Sequence, residues 1–148
     1  MSPGVLLAPL LVQGAAMVVD EGHFHRKRGL GAWERIGHPL DTLTVIACLA
    51  WTHLASPSPR AIAIYAALAL VSCLFITKDE IVHARRCSGG EHWLHAVLFV
   101  VHPIALLSIG LLWSSAEMSI LTGQLAVTTA FCVYQTLYWN FQWPARAR

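Results

Sequence analysis

Long apolar runs separated by short polar stretches dominate this chain. Each run is near the length of about 20 residues that a helix needs to cross a bilayer, or extends to it through its flanks. The second run reaches that length only if residues 38–42 belong to its helix. The runs are Gly4–Val19, Leu43–Ala55, Ala61–Thr77, Leu94–Trp113 and Met118–Phe141. The pattern predicts one all-α domain, residues 1–148, that is a polytopic integral membrane protein with five transmembrane helices.

Composition excludes an ordinary soluble domain. Hydrophobic residues make up 56% of the chain and charged residues only 12%, with a mean hydropathy of +0.57. Globular chains carry roughly 25% charged residues. The first run lacks the basic segment that precedes the apolar part of a secretory signal peptide, so we expect a retained helix rather than a cleaved one.

The basic residues indicate an orientation. With five helices, an outer N-terminus and an inner C-terminus, nine of the ten basic residues fall on the cytoplasmic side, as topology by positive charge requires. Only Arg60 falls on the other side. The nine are Arg26, Lys27, Arg28, Arg35, Lys78, Arg85, Arg86, Arg146 and Arg148. Because these charges are accounted for by topology, no nucleic-acid partner is indicated, and a bacterial protein would lie in the inner membrane. The six tryptophans fall near predicted helix ends, which is typical of interfacial anchors.

Two windows of the sequence resemble each other. Residues 20–38 read DEGHFHRKRGLGAWERIGH, and residues 79–95 read DEIVHARRCSGGEHWLH. Both begin with Asp-Glu, continue with a histidine, basic residues and glycine, and end in Glu-x-x-x-His. This likeness predicts two duplicated helical hairpins, repeat A at about 4–55 and repeat B at about 60–113, related by an axis along the membrane normal. A fifth helix at about 118–141 stands outside the repeat.

The windows gather most of the acids and histidines of the chain. Residues three or four apart share a helical face, so four helix ends could each offer a carboxylate and an imidazole to one central space. Carboxylate with neutral imidazole suits iron, zinc or manganese, and eight such groups are too many for one ion. We therefore predict two transition-metal ions near the cytoplasmic face. The predicted ligands are Glu21, His25, Glu34, His38, Glu80, His83, Glu91 and His95.

Six further residues are expected to orient these ligands or to serve as alternative ligands, because a ligating imidazole needs a partner for its other nitrogen. They are Asp41, His92, His102, Asp79, Asp20 and His23. For Asp20, Asp79 and His23, the alternative interpretation is a solvated helix end with surface ion pairs. For His102, which precedes Pro103, it is a role in a kinked helix.

The Glu80-x-x-His83 pair resembles the Glu-x-x-His motif of ferritin-like di-iron carboxylate proteins. The number of histidines is similar to the histidine boxes of membrane fatty-acid desaturases and hydroxylases, although His92-x-x-His95 is the only pair of that spacing. These resemblances imply a di-iron oxidoreductase that uses O₂ to oxidise an acyl chain, an isoprenoid or a quinone taken from the bilayer. They also imply a separate electron donor.

Three other functions fit the same residues. A transition-metal transporter or sensor would use Asp41 and His102 as deeper positions along an ion path. A di-zinc membrane hydrolase would use the same ligands, since zinc accepts them. Binding of b-type haem needs two histidines and leaves the carboxylates without a purpose. The leading hypothesis from the sequence is the di-iron oxidoreductase.

Overall fold

A computed structural model describes residues 2–143, and within that range the chain is helical apart from its turns and contains no strand. Met1 and residues 144–148, which include Arg146 and Arg148 of the predicted orientation, lie outside the described residues. The predicted all-α class is confirmed. Five long helices follow one another: α1 (Pro3–Arg28), α2 (Ala32–Leu54), α3 (Pro59–Arg86), α4 (Gly89–Ser114) and α5 (Met118–Gln142).

Four of these helices, α1, α3, α4 and α5, are long and apolar enough to cross a membrane. Large apolar side chains are exposed on their outer faces, among them Leu11, Val71, Val100 and Val127. An apolar surface of this extent is unfavourable in water and favourable against lipid tails. These features are those expected of a membrane protein.

The second helix, α2, differs from the other four. It is 23 residues long and includes residues 38–42, as its predicted length required. Its first half carries Glu34, His38 and Asp41, and by composition it is not among the helices apolar enough to span a membrane. Glu34 and His38 are buried in the bundle, whereas Ile36 and Leu43 on the same helix are exposed. Its polar face is thus turned inward and its apolar face outward.

Two helices change their winding where the sequence windows begin. In α1, Asp20–His25 form a π-helical turn, in which hydrogen bonds reach five residues along the chain instead of four. Asp20 and His25 consequently share a face, and both are buried. In α3, a 3₁₀ turn at Ile76–Asp79 is followed by α-helix, in which Asp79 and His83 are four residues apart. Asp20 and His25 are five residues apart, one more than Asp79 and His83. The π-helical turn accommodates this additional residue.

Each hairpin packs its helices against helices of the other hairpin. α1 lies along α4, and α2 lies along both α5 and α3. An apolar core fills the half of the bundle remote from the α1–α2 turn. Its most buried large side chains are Leu49, Leu106, Ile109, Leu112 and Leu121. Polar side chains fill the other half.

The turn between α1 and α2 depends on Gly29. Its φ of +75° lies in the left-handed region, which residues other than glycine rarely adopt. A Cβ there would also lie 3.3 Å from the indole of Trp143. This turn reverses the chain within three residues and returns Glu34 to the side of Arg28.

Candidate metal centre

Four buried side chains from α1 and α4 form the first half of a polar cluster. We call Asp20, His25, Glu91 and His95 the first quartet. One ligand atom from each lies within 4.8 Å of the others. Asp20 Oδ2 lies 3.1 Å from the Nε2 atoms of both His25 and His95. This arrangement has the donor types and the spacing that could hold a metal ion.

The second half comes from α2 and α3. Glu34, His38 and His83 also offer ligand atoms within 4.8 Å of one another. Asp79 lies beside them, with Oδ2 at 3.9 Å from His38 Nε2. We call these four buried residues the second quartet. Each quartet therefore contains two histidines, one aspartate and one glutamate, taken from two different hairpins.

The distances within the cluster come in matched pairs. The ring centroids of His25 and His38 are 4.7 Å apart, and those of His83 and His95 are 4.2 Å apart. The other two sides of this four-membered arrangement measure 6.4 Å, from His25 to His95, and 6.1 Å, from His38 to His83. Histidines that correspond in the two sequence windows thus lie at similar distances around one centre.

The contacts between histidine and glutamate match in the same way. His25 Nε2 lies 3.8 Å from Glu91 Oε1, and His83 Nε2 lies 3.7 Å from Glu34 Oε1. In both cases the histidine comes from the first helix of one hairpin and the glutamate from the second helix of the other. The cluster is consequently complete only when both hairpins are packed together.

Arg28 joins the two quartets. Its guanidinium donates to Glu34 Oε1 at 2.7 Å and to Glu91 Oε1 at 2.9 Å. Glu34 also accepts from the backbone N–H of Gly31 at 2.9 Å. Charge-assisted hydrogen bonds of this kind hold a planar guanidinium and a carboxylate in a fixed orientation. Arg28 therefore positions the two glutamates that face the histidines.

Glu21 is held by α5. Its two carboxylate oxygens accept from Gln135 Nε2 and Trp139 Nε1, each at 2.6 Å. Oε2 also lies 3.5 Å from His25 Nδ1, the nitrogen that faces away from the first quartet. A carboxylate behind a ligating imidazole fixes the orientation of the ring and raises its basicity. The structure thus gives Glu21 the geometry of an orienting residue for His25. Glu21 also offers a ligand oxygen to a group with His25 and His38 whose ligand atoms all lie within 4.8 Å of one another, so its predicted role as a ligand stays open.

Lys78 occupies the corresponding side of the second quartet. Its ammonium donates to Asp79 Oδ2 at 2.8 Å and to both oxygens of Asp41 at 2.7 Å. Asp79 Oδ1 accepts from Trp33 Nε1 at 2.9 Å. Gly37 permits this close approach of α2, because a Cβ there would lie 3.2 Å from Asp79 Oδ1. Both oxygens of Asp79 are therefore already paired.

Cys87 lies in the α3–α4 turn, near the histidines of both quartets. Its sulfur belongs to a group with His83 and His95 whose ligand atoms all lie within 4.8 Å of one another. Burial and the hydrogen bond to the Glu91 carboxylate raise the pKa of the Cys87 thiol to about 12. The sulfur is thus a neutral thiol in the ion-free cluster, and the thiolate is the form that binds metal.

Some residues predicted from the sequence are not brought to the cluster. Glu80, the acid of the Glu-x-x-His pair, is exposed and belongs to none of the groups described above, and its neighbour Asp79 faces inward. His23 is exposed with its ring against Phe24. His92 is half-buried and likewise belongs to none of these groups. Asp41 is bound to Lys78, and His102 lies deeper in the bundle.

Sequence reasoning does not identify Gln135, Trp139, Arg28 or Lys78 as parts of the cluster. The sequence favours an interfacial anchor at Trp139, but this side chain is fully buried and donates to Glu21. Its sequence signal is weak because tryptophans at helix ends are common in membrane proteins. The π-helical turn Tyr138–Gln142 at the end of α5 is the local feature that accompanies this inward orientation.

An apolar cavity of about 410 Å³ begins at the cluster. Its polar end is lined by residues of both quartets, among them His38 and His95. It extends between α1 and α5, where its walls include Leu10, Val18 and Phe131. The cavity volume lies in the range of small-molecule sites.

Comparisons with known protein families, with curated proteins and with solved structures found no match to this chain. The proposal for its function therefore rests on the side chains of the cluster and on the cavity.

Proposed function

We propose that the two quartets bind two transition-metal ions within a membrane-embedded oxidoreductase. The observation that supports this most directly is a set of buried polar atoms without a hydrogen-bond partner among the described residues. Those that belong to the quartets are Asp20 Oδ1, both ring nitrogens of His25, both ring nitrogens of His83, and His95 Nδ1. Each such atom costs about 1–3 kcal/mol when it is left unpaired in the protein interior. A bound ion would remove that cost for several of them at once.

Charge also supports bound cations. Six carboxylates, those of Asp41 and Glu21 together with the four of the quartets, lie close together, and the cations that bond to them directly are Arg28 and Lys78. The carboxylates thus outnumber these cations, and divalent ions would offset the excess of negative charge. Protonation of all four histidines would balance it as well, but their rings lie 4.2–6.4 Å apart and like charges at that separation repel.

The donor set and the cavity support iron and a lipid-like substrate. Mixed carboxylate and imidazole ligands suit iron, with zinc and manganese as the alternatives. Two bound irons would supply the activation of O₂. In a hydroxylation, a C–H bond of the substrate and one O₂ would become C–OH and water, with two electrons and two protons from a separate donor protein. The apolar cavity would hold the substrate beside the cluster and exclude water from it.

We further propose that α2 also spans the membrane, which gives five spans, with the cluster on the cytoplasmic side. Its length and its outward apolar face support this arrangement. Seven described basic residues lie at the cluster end of the bundle, and only Arg60 lies at the other. A reporter fused after Arg148 should be active only in the cytoplasm. Activity on the opposite side would refute the orientation, and the metal centre has a separate test.

The metal centre itself is tested by elemental analysis of protein expressed with ample iron and purified without chelators. We expect two irons per chain, an optical spectrum of ferric iron, and O₂ consumption when an electron donor is supplied. The matched control is His53→Ala, whose side chain is exposed and bonds Thr122 at the other end of the bundle. A protein without metal would refute the proposal. Two zinc ions and no O₂ consumption would favour a di-zinc hydrolase instead.

A further inference from the structure

A row of hydrogen bonds crosses the bundle below the cluster and ends at the cavity wall. Thr44 Oγ1 donates to the carbonyl of Asp41 at 2.7 Å and lies 2.6 Å from Ser72 Oγ. Ser72 Oγ lies 3.0 Å from His102 Nε2, and Gln13 Nε2 lies 3.0 Å from His102 Nδ1. Gln13 and His102 both line the cavity. The row therefore connects the backbone of α2 to the cavity through α3, α4 and α1.

The direction of this row follows from the number of hydrogens on each group. Thr44 has one hydroxyl hydrogen and gives it to the carbonyl, so Ser72 must donate to Thr44. Ser72 then accepts from the Nε2–H of His102, and the neutral imidazole keeps Nδ1 as an acceptor. Gln13 must present its Nε2–H to that nitrogen. Its Oε1 is left as a buried acceptor with no partner among the described residues.

The rest of the cavity is apolar and opens sideways. Its walls include Leu11 and Val18 of α1 and Val127 of α5, which are 69%, 63% and 66% exposed. These residues lie on the faces that would contact lipid tails. Gln13 and His102 each lie seven residues from a member of the first quartet, which is about 10 Å along a helix. A molecule that enters between α1 and α5 would thus pass the unpaired Gln13 Oε1 on its way to the cluster, with Gln124 and Thr128 on the α5 wall.

We propose that this cavity binds a single-chain lipid that carries a hydroxyl group, entering from the bilayer between α1 and α5. The hydroxyl donates to Gln13 Oε1, and one end of the chain lies against the histidines of the cluster. The binding of this lipid does not depend on the proposed metal centre, whereas its role as the substrate does. A quinone, which offers acceptors but no donor, does not satisfy Gln13 Oε1.

The experiment compares two photoreactive probes, a diazirine-bearing hexadecanol and its methyl ether. Each probe is crosslinked to the full chain in nanodiscs, and the labelled peptides are mapped by mass spectrometry. Gly14→Leu should block the cavity, because Gly14 lines it and a Cβ there meets no atom within 4 Å. Gly123→Leu is the matched control, since a Cβ at Gly123 also meets nothing and that residue does not line the cavity. Gln13→Leu removes the acceptor at similar size.

We expect the alcohol to label cavity residues in the wild type and in Gly123→Leu, and Gly14→Leu to abolish that labelling. The alcohol should label more strongly than the ether by roughly fivefold, the effect of one hydrogen bond, and Gln13→Leu should remove this preference. An isoprenoid alcohol and its methyl ether, used in the same way, test whether the cavity prefers a linear or a branched chain. Stronger labelling by either alcohol than by its ether supports the proposal. Equal labelling by alcohol and ether, or labelling that survives Gly14→Leu, would overturn it.

Metal content is measured on the same samples, together with size-exclusion chromatography as a check of folding. Cavity labelling without metal would contradict the proposed metal centre and leave the lipid site standing. Metal at full stoichiometry without cavity labelling would contradict the lipid site alone.

Discussion

The two quartets contain the same four side-chain types with similar distances between their histidines, but their aspartates and surroundings differ. In the first, Asp20 Oδ1 has no partner among the described residues, and Oδ2 faces two histidines at 3.1 Å. In the second, both oxygens of Asp79 are paired, one with Trp33 and the other with Lys78. Two similar sequence windows can therefore bring the same residue types together without making the electrostatics of the two quartets equal. We expect the first quartet to bind its ion more tightly.

The largest effect should come from removing one histidine of each quartet. His38→Ala and His95→Ala should each lose one of the two ions, because each removes one of the two nitrogen donors of its quartet. The measurement is the number of metal ions per chain, with His53→Ala as the control that keeps both. Loss of metal from His53→Ala as severe as that from His95→Ala would break the assignment of both quartets. It would favour a site that uses the deeper histidines.

A smaller effect on metal affinity should distinguish Glu21 from Glu80. Glu21→Gln should weaken metal binding by about 10–100-fold, the usual cost of losing a group that orients a ligand. Glu80→Gln should leave binding unchanged, since that side chain is exposed. Metal affinity is measured by competition with a chelator of known strength. Equal losses from the two variants would show that the orientation of His25 by Glu21 has no consequence.

Lys78→Met should alter the second quartet in two opposite ways. Without the cation, Asp79 becomes free to bind metal, so the affinity of the second ion should rise. The ion-free protein should be less stable by about 3–5 kcal/mol, the cost of leaving a buried ion-pair partner alone. Thermal unfolding with and without metal measures both effects, and Lys27→Met, an exposed cation, is the control. An unchanged unfolding temperature in the ion-free variant would contradict this role of Lys78.

The smallest effect should come from Gly37→Ala. A Cβ at this position would lie 3.2 Å from Asp79 Oδ1 and from Lys78 Cε, so one of them must move by a few tenths of an ångström. We expect this overpacking, which costs about 1 kcal/mol, to cancel the gain of about 1 kcal/mol that alanine brings in a helix, so the free energy of unfolding should rise in Gly22→Ala but not in Gly37→Ala. Gly22→Ala is the control, because a Cβ there meets nothing within 4 Å. Similar results for the two variants would show that α2 has room to shift.

Much of the cluster follows from spacing alone. Residues four apart share a helical face, so the sequence by itself places Glu34 with His38, and Glu91 with His95, on one side of their helices. The inner position of these side chains and the helical fold agree with that reasoning. Whether they bind metal stays a prediction.

The choice between neighbouring acids could not be made from the sequence. In α3, both Asp79 and Glu80 are within one helical turn of His83, and the rule of three or four residues admits either one. In α1, the same rule selects Glu21 for His25, but the π-helical turn brings Asp20 to the His25 nitrogen that faces the quartet. The spacing rule assumes α-helical geometry, so it does not predict a π-helical turn. The contacts from α5 escape sequence reasoning for a different reason, since Gln135 and Trp139 belong to no repeated pattern.

The bridge formed by Arg28 bears on the order in which this protein is made. Chains are synthesised from the N-terminus, so α1 and α2 leave the ribosome before Glu91 exists. Arg28 and Glu34 are only six residues apart, and their ion pair needs no more than the first hairpin. The nascent hairpin can thus enter the membrane with Glu34 already neutralised. Arrival of α4 then adds Glu91 to a guanidinium that is already in position.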